Sequence, residues 1–251
     1  MSRLSKEQQE LLDAFDRLTT YQRQFVQNSI HAFTSECTFW RAPDSDVITD
    51  AVLASLGDRL LSHHASSRQA LSKDRFEFAF ESALNEARIP ARLVTSRTNR
   101  GHDIDINGVP VSLKTEAAAN IREDSIHVSK WMELGRGEWH LPVLRDLFLE
   151  HMQGYQRIFT MRKLRDDGER TRYELVEIPK TLLLEAAHCD FEVCEQSRQN
   201  PLPGYGYVKG LNGDLKFSLY FDGGGERKLQ IKNLRKDLCK VHATWSFVAL
   251  A

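Results

Sequence analysis

Residues 101–116, GHDIDINGVPVSLKTE, carry alternating apolar and polar residues on both sides of the dipeptide Asn107-Gly108. Asn-Gly between two such runs is a strong local signal for a β-hairpin with a tight turn. Because successive side chains of a strand point to opposite faces, we expect Asp103 and Asp105 to share one face of the first strand. The segment therefore predicts a hairpin that displays carboxylates on one side.

The second strand of this hairpin shows the same alternation. Ser112, Lys114 and Glu116 are expected on one face, with Val111 and Leu113 on the other. If the polar faces of the two strands coincide, carboxylates and an ammonium group converge on a sheet whose other side is apolar. Such an arrangement suits a hard divalent cation held by oxygen atoms, with a lysine close to an attacking water.

Outward from the hairpin, apolar residues at helical spacing predict several helices. Ser72 is a good N-cap for the helix that precedes the hairpin, and Pro90 should end that helix. The predicted helices are two within 5–35, one after Pro43, one from 73 to 89, and two at 119–134 and 142–152.

Alternating or β-branched runs predict the strands. They are 91–96, 102–107, 109–115, IFTMRKL and RYELVEI with a turn at Asp166-Asp167-Gly168, GYGYVKGL, LKFSLYF and ERKLQIKNL. A short helix is expected after Pro179. The pattern favours an α/β (α+β) fold with a mixed β-sheet flanked by helices and a strand-rich C-terminal part. Without linkers or repeats, we expect one domain over 1–251, with a helical part at 1–71, a core at 72–135 and the remaining elements at 136–251.

Composition narrows the class of protein. The net charge is -1, so any nucleic-acid surface must come from local clusters of Lys and Arg. No apolar run approaches the roughly 20 residues that span a bilayer, and the N-terminus does not resemble a signal peptide, so we expect a cytoplasmic protein with no membrane contact. The four scattered cysteines favour free thiols over a zinc site. Gly223–Gly225 lack a following Lys-Ser/Thr, which disfavours a nucleotide-binding loop.

The hairpin and the helix before it resemble the PD-(D/E)xK nuclease superfamily. In that superfamily an acidic residue opens a hairpin, a second acid lies two residues before a lysine on the return strand, and a preceding helix often adds a glutamate. By this resemblance Asp103 matches the first acid, Lys114 the lysine and Glu77 the helix glutamate. The resemblance implies that Asp103, Lys114 and Glu77 are catalytic.

Other segments resemble a family of type II restriction endonucleases. They are GDRLLSHHASS (57–67), GHDI (101–104), LKTEAA (113–118), IHVSKWMELG (126–135), PGYGYV (203–208) and KFSLYFDGG (216–224). This resemblance implies Mg²⁺-dependent hydrolysis of double-stranded DNA at the palindrome CCCGGG, with blunt, 5′-phosphate ends. A palindrome is read most economically by a two-fold protein, so a homodimer is expected.

One position departs from the superfamily pattern. Ser112 stands where Asp or Glu is expected, and a serine hydroxyl is a weaker magnesium ligand than a carboxylate. The resemblance implies metal ligands among Asp103, Glu77, Ser112 and Glu116. The missing charge could come from Glu77, which is the first choice, or from Asp105 or Glu116, or a backbone carbonyl and waters could complete the shell.

Basic residues outside the hairpin are candidates for DNA contact. If 119–134 is a helix, His127, Lys130 and Trp131 share one of its faces, which serves either DNA binding or core packing. Arg136 follows on the same predicted helix. Arg227 and Lys228 come directly after the glycine run and either approach phosphates and guanine or form a basic hairpin tip without a partner.

Two further functions remain open. Ser112 is also compatible with a non-catalytic DNA-binding module that kept a nuclease-like fold. A repair or nicking nuclease of the same superfamily is the other alternative. Cleavage of plasmid DNA in the presence of magnesium distinguishes these alternatives from a restriction endonuclease.

Overall fold

The computed structural model describes residues 4–94, 101–118, 121–164 and 170–248. The α-helices within these ranges are α1 (Lys6–Asp16), α2 (Thr20–Thr34), α3 (Asp50–His64), α4 (Lys73–Glu86), α5 (Leu141–His151) and α6 (Lys180–Leu184). None of the described helices is long and apolar enough to cross a membrane.

The strands form two sheets. They are β1 (Cys37–Arg41), β2 (Ala91–Leu93), β3 (Ile104–Ile106), β4 (Val109–Glu116), β5 (Ser125–Glu133), β6 (Arg157–Leu164), β7 (Arg170–Glu177), β8 (Asp190–Val193), β9 (Gly204–Lys209), β10 (Leu215–Asp222), β11 (Lys228–Arg235) and β12 (Lys240–Val248). The predicted mixed α/β fold with a strand-rich C-terminal part is confirmed.

The first sheet has the order β1-β12-β7-β6-β4-β3-β2. Its β4–β6 pair is parallel, while the other pairs described in this sheet are antiparallel. The predicted hairpin is confirmed as β3–β4, and Asn107 and Gly108 have φ of 51° and 78°. Both turn residues therefore have the positive φ that a two-residue hairpin of this type requires.

Helix α4 lies against this sheet and fixes the position of the hairpin. Ser72 caps it as predicted, since its side chain accepts a hydrogen bond from the Arg75 backbone N–H. Phe76, Phe80 and Leu84, at four-residue spacing, are fully buried in a core shared with β3 and β4. The polar face of the first turn of α4 therefore points toward the open end of the hairpin.

The second sheet, in the order β5-β11-β10-β9-β8, encloses a separate apolar core with α5. The predicted strands of the C-terminal part are confirmed as β9, β10 and β11. Strands β1, β8 and β12 were not predicted. Residues 95–96 of the first predicted strand and the predicted turn at 166–168 lie outside the described residues.

The helix predicted at 119–134 is wrong, because Ser125–Glu133 forms β5. Ile126 and Val128 alternate into the second core, and β5 pairs antiparallel with β11. Two register irregularities in this pairing break the simple alternation and give the segment its helix-like spacing. His127, Lys130 and Trp131 therefore do not share a helical face, and Arg136 lies in the turn after β5.

Helices α1 and α2 were predicted correctly but pack loosely. Both begin with capping boxes, at Ser5 and Thr19. Nevertheless α1 has no buried residue, and Ala32 is the buried residue of α2. Large apolar side chains at least 46% exposed on these helices are Leu11, Leu12, Tyr21, Phe25, Ile30 and Phe33.

Candidate active site

Asp103 lies directly before β3, where the hairpin opens. Its backbone N–H donates to the Val111 carbonyl (2.9 Å), which continues the β3–β4 ladder to this residue. Its Oδ2 accepts hydrogen bonds from the Leu113 backbone N–H (2.6 Å) and the Ser112 hydroxyl (3.1 Å). The polar faces of the two strands therefore coincide as expected, and Ser112 acts on the carboxylate of Asp103.

The other carboxylate oxygen of Asp103 faces Lys73, the first residue of α4. Lys73 Nζ lies 2.7 Å from Asp103 Oδ1 and 2.8 Å from Glu77 Oε1. The two carboxylate oxygens consequently lie no more than 5.5 Å apart, the sum of these distances. The structure thus brings the predicted residues Asp103 and Glu77 together and adds Lys73.

Lys73 was missed by the sequence interpretation. The available signal was its position one turn before Glu77, because residues i and i+4 of a helix are neighbours. That Lys73 also reaches Asp103, thirty residues away in the chain, depends on how α4 packs on the hairpin.

Lys114 lies on β4 and is buried, with 8% of its surface exposed. Its Nζ is 5.4 Å from the centre of the Trp131 ring, whose Nε1–H donates to the Tyr155 hydroxyl (3.1 Å). Burial lowers the pKa of Lys114 to about 8, although the nearby charge of Asp103 opposes this effect. Lys114 can therefore change its protonation state near neutral pH.

The two acids have opposite pKa shifts. Burial alone would raise the pKa of Asp103, but the charges of Lys114 and Lys73 and the hydrogen bonds to its carboxylate lower it. For Glu77, burial outweighs the ion pair with Lys73, and its pKa is raised. Neighbouring titratable groups whose pKa values are pushed apart are typical of catalytic sites.

A cavity of about 370 Å³ opens beside these side chains. Lys73 and Lys114 line it, together with Lys130 and Trp131 from β5. Lys130 is exposed and forms an ion pair with Glu133 at 2.8 Å. The cavity thus places three lysines around a space next to the carboxylates, which suits a phosphate group.

Glu116, a predicted metal ligand, has other partners. Its Oε2 lies 2.5 Å from Arg162 Nε, and its Oε1 accepts the His127 backbone N–H at 2.9 Å. Arg162 is fully buried and also pairs with Glu174. Glu116 therefore joins the two sheets, because β4 belongs to the first sheet and His127 to the second.

Asp105 lies outside the cluster. It is opposite Pro110 in the hairpin, and its Oδ1 is 3.2 Å from His102 Nε2. Its side chain is 43% exposed. The contacts that join Asp103 to Glu77 do not include Asp105.

The structure brings two of the predicted DNA-binding residues together. Arg136 and Arg227 line a cavity of about 410 Å³ with Asn200 and Gly223–Gly225. The Arg227 guanidinium lies 5.7 Å from the centre of the Trp139 ring. Gly223 has no room for a side chain, since a Cβ would lie 1.9 Å from the Pro201 carbonyl oxygen.

Two further candidates, Lys228 and His127, have interactions within the protein. Lys228 forms an ion pair with Glu226 at 3.2 Å. The imidazole of His127 is half-buried, and burial together with the charge of Lys232 lowers its pKa. His127 is therefore placed to act as a neutral side chain at neutral pH.

The cluster offers two carboxylates, one hydroxyl and two ammonium groups. In the part of the chain that the structure describes, no group of three or more His, Cys, Asp and Glu side chains could hold a metal ion. Two carboxylates nevertheless match the way Mg²⁺ is usually bound, by one or two carboxylates, waters and the phosphates of a substrate.

Comparison with known proteins identifies what this chain resembles. The family described as SmaI, type II site-specific deoxyribonuclease, matches residues 11–247. The chain is 49% identical to the type II restriction enzyme SmaI of Serratia marcescens over 239 residues, which cover 95% of this chain and 96% of that protein. No solved structure matches the chain significantly.

Proposed function

Because the chain belongs to the SmaI family of type II site-specific deoxyribonucleases, we propose that its Asp103–Glu77–Lys114 cluster is the centre that hydrolyses DNA. The observation that carries the proposal is the meeting of Asp103 and Glu77 around one cation, beside the buried Lys114. Helix and hairpin contribute these residues from distant parts of the chain.

Magnesium is the proposed cofactor, with Asp103 and Glu77 as its protein ligands. Support comes from the ammonium of Lys73, which already occupies a cation position between the two carboxylates. Ser112 is assigned to holding the Asp103 carboxylate, and Glu116 to the Arg162 pair, rather than to the metal. When bound, the ion would lower the pKa of a coordinated water and polarise the scissile phosphate.

Lys114 is proposed to position the attacking water and to offset the negative charge that develops on the phosphate. Its burial beside Asp103 favours both roles, because electrostatic interactions are stronger where water is excluded. Its lowered pKa also allows it to take up a proton from the water. Water attack on phosphorus would form the new P–O bond and break the bond to the 3′-oxygen, which would take a proton from solvent to become a 3′-hydroxyl and leave a 5′-phosphate.

Double-stranded DNA is the proposed substrate, with the palindrome CCCGGG cut at its centre. The support is 49% identity across 95% of the chain. Arg136 and Arg227 are the proposed base-reading residues, since arginine forms two hydrogen bonds with the major-groove edge of guanine. Lys130, Lys228 and His127 are proposed to contact the DNA backbone.

A homodimer in which each protomer cuts one strand of the DNA fits a palindromic target. The exposed apolar side chains of α1 and α2 support self-association, because helices of this length depend on packing of an apolar face for their stability. Residues 1–251 are proposed to act as one endonuclease domain. Sedimentation equilibrium should give twice the chain mass of 28.8 kDa.

Incubation of supercoiled plasmids with the protein and Mg²⁺ tests the function. One plasmid carries a single CCCGGG site, and its control carries CCCGGA at the same position. A restriction endonuclease linearises the first plasmid and leaves the second intact. Nicked circles from both plasmids indicate a nicking nuclease, and unchanged plasmids that are retarded in a gel indicate a non-catalytic binding module. Either outcome contradicts the proposal.

A further inference from the structure

Lys73 lies at the N-terminus of α4, where the positive charge of a lysine does not stabilise the helix. It is the first residue of α4, at the positive end of the helix dipole, where cations are unfavourable. Its pairing with Glu77 also runs in the less favourable direction, since a glutamate four residues before a lysine stabilises a helix better than the reverse. The position of Lys73 is therefore explained by what its ammonium contacts.

Those contacts are the two carboxylates of the proposed metal site. Lys73 Nζ is 2.7 Å from Asp103 Oδ1 and 2.8 Å from Glu77 Oε1. Glu77 and Asp103 are mostly buried, with side chains 18% and 20% exposed, so without a cation they would repel each other strongly. Lys73 neutralises part of this charge and holds the acids close together.

Lys73 is more exposed than the two acids. Its side chain is 42% exposed and borders the 370 Å³ cavity, so the flexible lysine stem can swing its ammonium outward without repacking the core. An ammonium and a divalent ion cannot occupy the same position between Asp103 and Glu77.

We propose that Lys73 is an internal counter-ion that occupies the cation position between Asp103 and Glu77 and must withdraw for a divalent metal to bind. Lys73 thereby keeps the acids in place in the metal-free protein and weakens metal binding until DNA arrives. Once withdrawn, its ammonium lies at the cavity, where it can pair with a DNA phosphate. The inference rests on the proposed function, because it takes Asp103 and Glu77 as the metal ligands.

The test measures metal binding without DNA and without turnover. Mn²⁺ is titrated into the full-length protein, and free Mn²⁺ is followed by its electron paramagnetic resonance signal. Lys73→Met removes the charge but keeps the length of the side chain, and should lower the Mn²⁺ Kd on the order of tenfold, which equals about 1.4 kcal/mol. Lys73→Arg keeps the bridging charge and should bind Mn²⁺ within about twofold of wild type.

Lys209→Met is the matched control. Lys209 is a half-exposed lysine of β9 that pairs with Asp190 at 2.9 Å and does not line the 370 Å³ cavity, so this variant loses the same net charge outside the site. Its Mn²⁺ affinity should stay within about twofold of wild type. If Lys73→Met does not fold without metal, Lys73→Gln replaces it, because the amide can still donate hydrogen bonds to the acids.

An unchanged or weaker Mn²⁺ affinity in Lys73→Met overturns the inference. Asp103→Asn separates this failure from that of the proposed function. If wild-type Mn²⁺ binding requires Asp103 but is insensitive to Lys73, the inference about the counter-ion is wrong and the metal site stands. If Mn²⁺ binding does not depend on Asp103, the proposed metal site itself is wrong.

Discussion

Replacement of Glu116 by glutamine tests whether this acid supports the structure or binds the metal. Glu116 accepts two hydrogen bonds, from Arg162 Nε at 2.5 Å and from the His127 backbone N–H at 2.9 Å. It is 6% exposed, and Arg162 is fully buried. The amide of glutamine has one acceptor oxygen, so Glu116→Gln must lose one of these hydrogen bonds and the charge that pairs with Arg162.

The magnitude follows from burial. Removing one partner of a buried ion pair costs about 3–5 kcal/mol. Arg162 keeps Glu174 and the carbonyl oxygens of Arg122 and Ser125, which favours the lower end of that range. We expect the free energy of unfolding to fall by about 3 kcal/mol in Glu116→Gln, a large part of the stability of a typical domain.

Urea unfolding followed by circular dichroism measures this loss. Glu86→Gln is the control, because Glu86 accepts hydrogen bonds from Ser55 and Arg59, both at 2.6 Å, but its side chain is 57% exposed. That variant should lose no more than about 1 kcal/mol. If Glu116→Gln instead unfolds like wild type but binds Mn²⁺ at least about tenfold more weakly, Glu116 is a metal ligand and not a structural acid.

Three further predictions address catalysis, pH and DNA reading. Lys114→Met should slow cleavage by about 10²–10⁴-fold in single-turnover assays. The variant should not be less stable than wild type at pH 7, because burial already disfavours the ammonium of Lys114. Unchanged cleavage would exclude a catalytic role. Hydrogen bonds from Arg157 and His242 outweigh burial and lower the pKa of Glu177 to about 2, so Glu177 stabilises the protein above its ordinary pKa of 4.5. This stabilisation, about 3 kcal/mol, should be lost from pH 4.5 to 2 in wild type but not in Glu177→Gln, as measured by urea unfolding at each pH. Arg227→Ala should weaken binding of the protein to the CCCGGG duplex by about 1–3 kcal/mol, whereas its binding to random duplexes should hardly change. Equal losses of affinity for both duplexes in gel-shift titrations would show that Arg227 contacts only the DNA backbone.

Local chemistry made the hairpin and α4 predictable. Asn107-Gly108 specifies the turn by itself, and Ser72 with Phe76 and Phe80 specifies the start and the buried face of the helix. Alternation along the strands then sufficed to place Ser112 beside Asp103.

Contacts between distant segments were not predictable in this way. The apolar residues of β5 have a helix-like spacing, because irregular pairing with β11 interrupts the alternation of buried and exposed side chains. Glu116 is a plausible ligand in sequence, and only Arg162, 46 residues later, gives it a structural partner. Lys73 likewise acquires its contact with Asp103 from the packing of α4 against the hairpin.

The most direct test of the central assignment compares wild type with Asp103→Asn. Single-turnover cleavage of a CCCGGG duplex is measured in Mg²⁺ for both proteins, and circular dichroism confirms that both are folded. Since Asp103 is proposed to hold the metal and to neighbour Lys114, the variant should cleave at least about 10³-fold more slowly. Cleavage by folded Asp103→Asn within tenfold of the wild-type rate would contradict the assignment of this cluster as the catalytic centre.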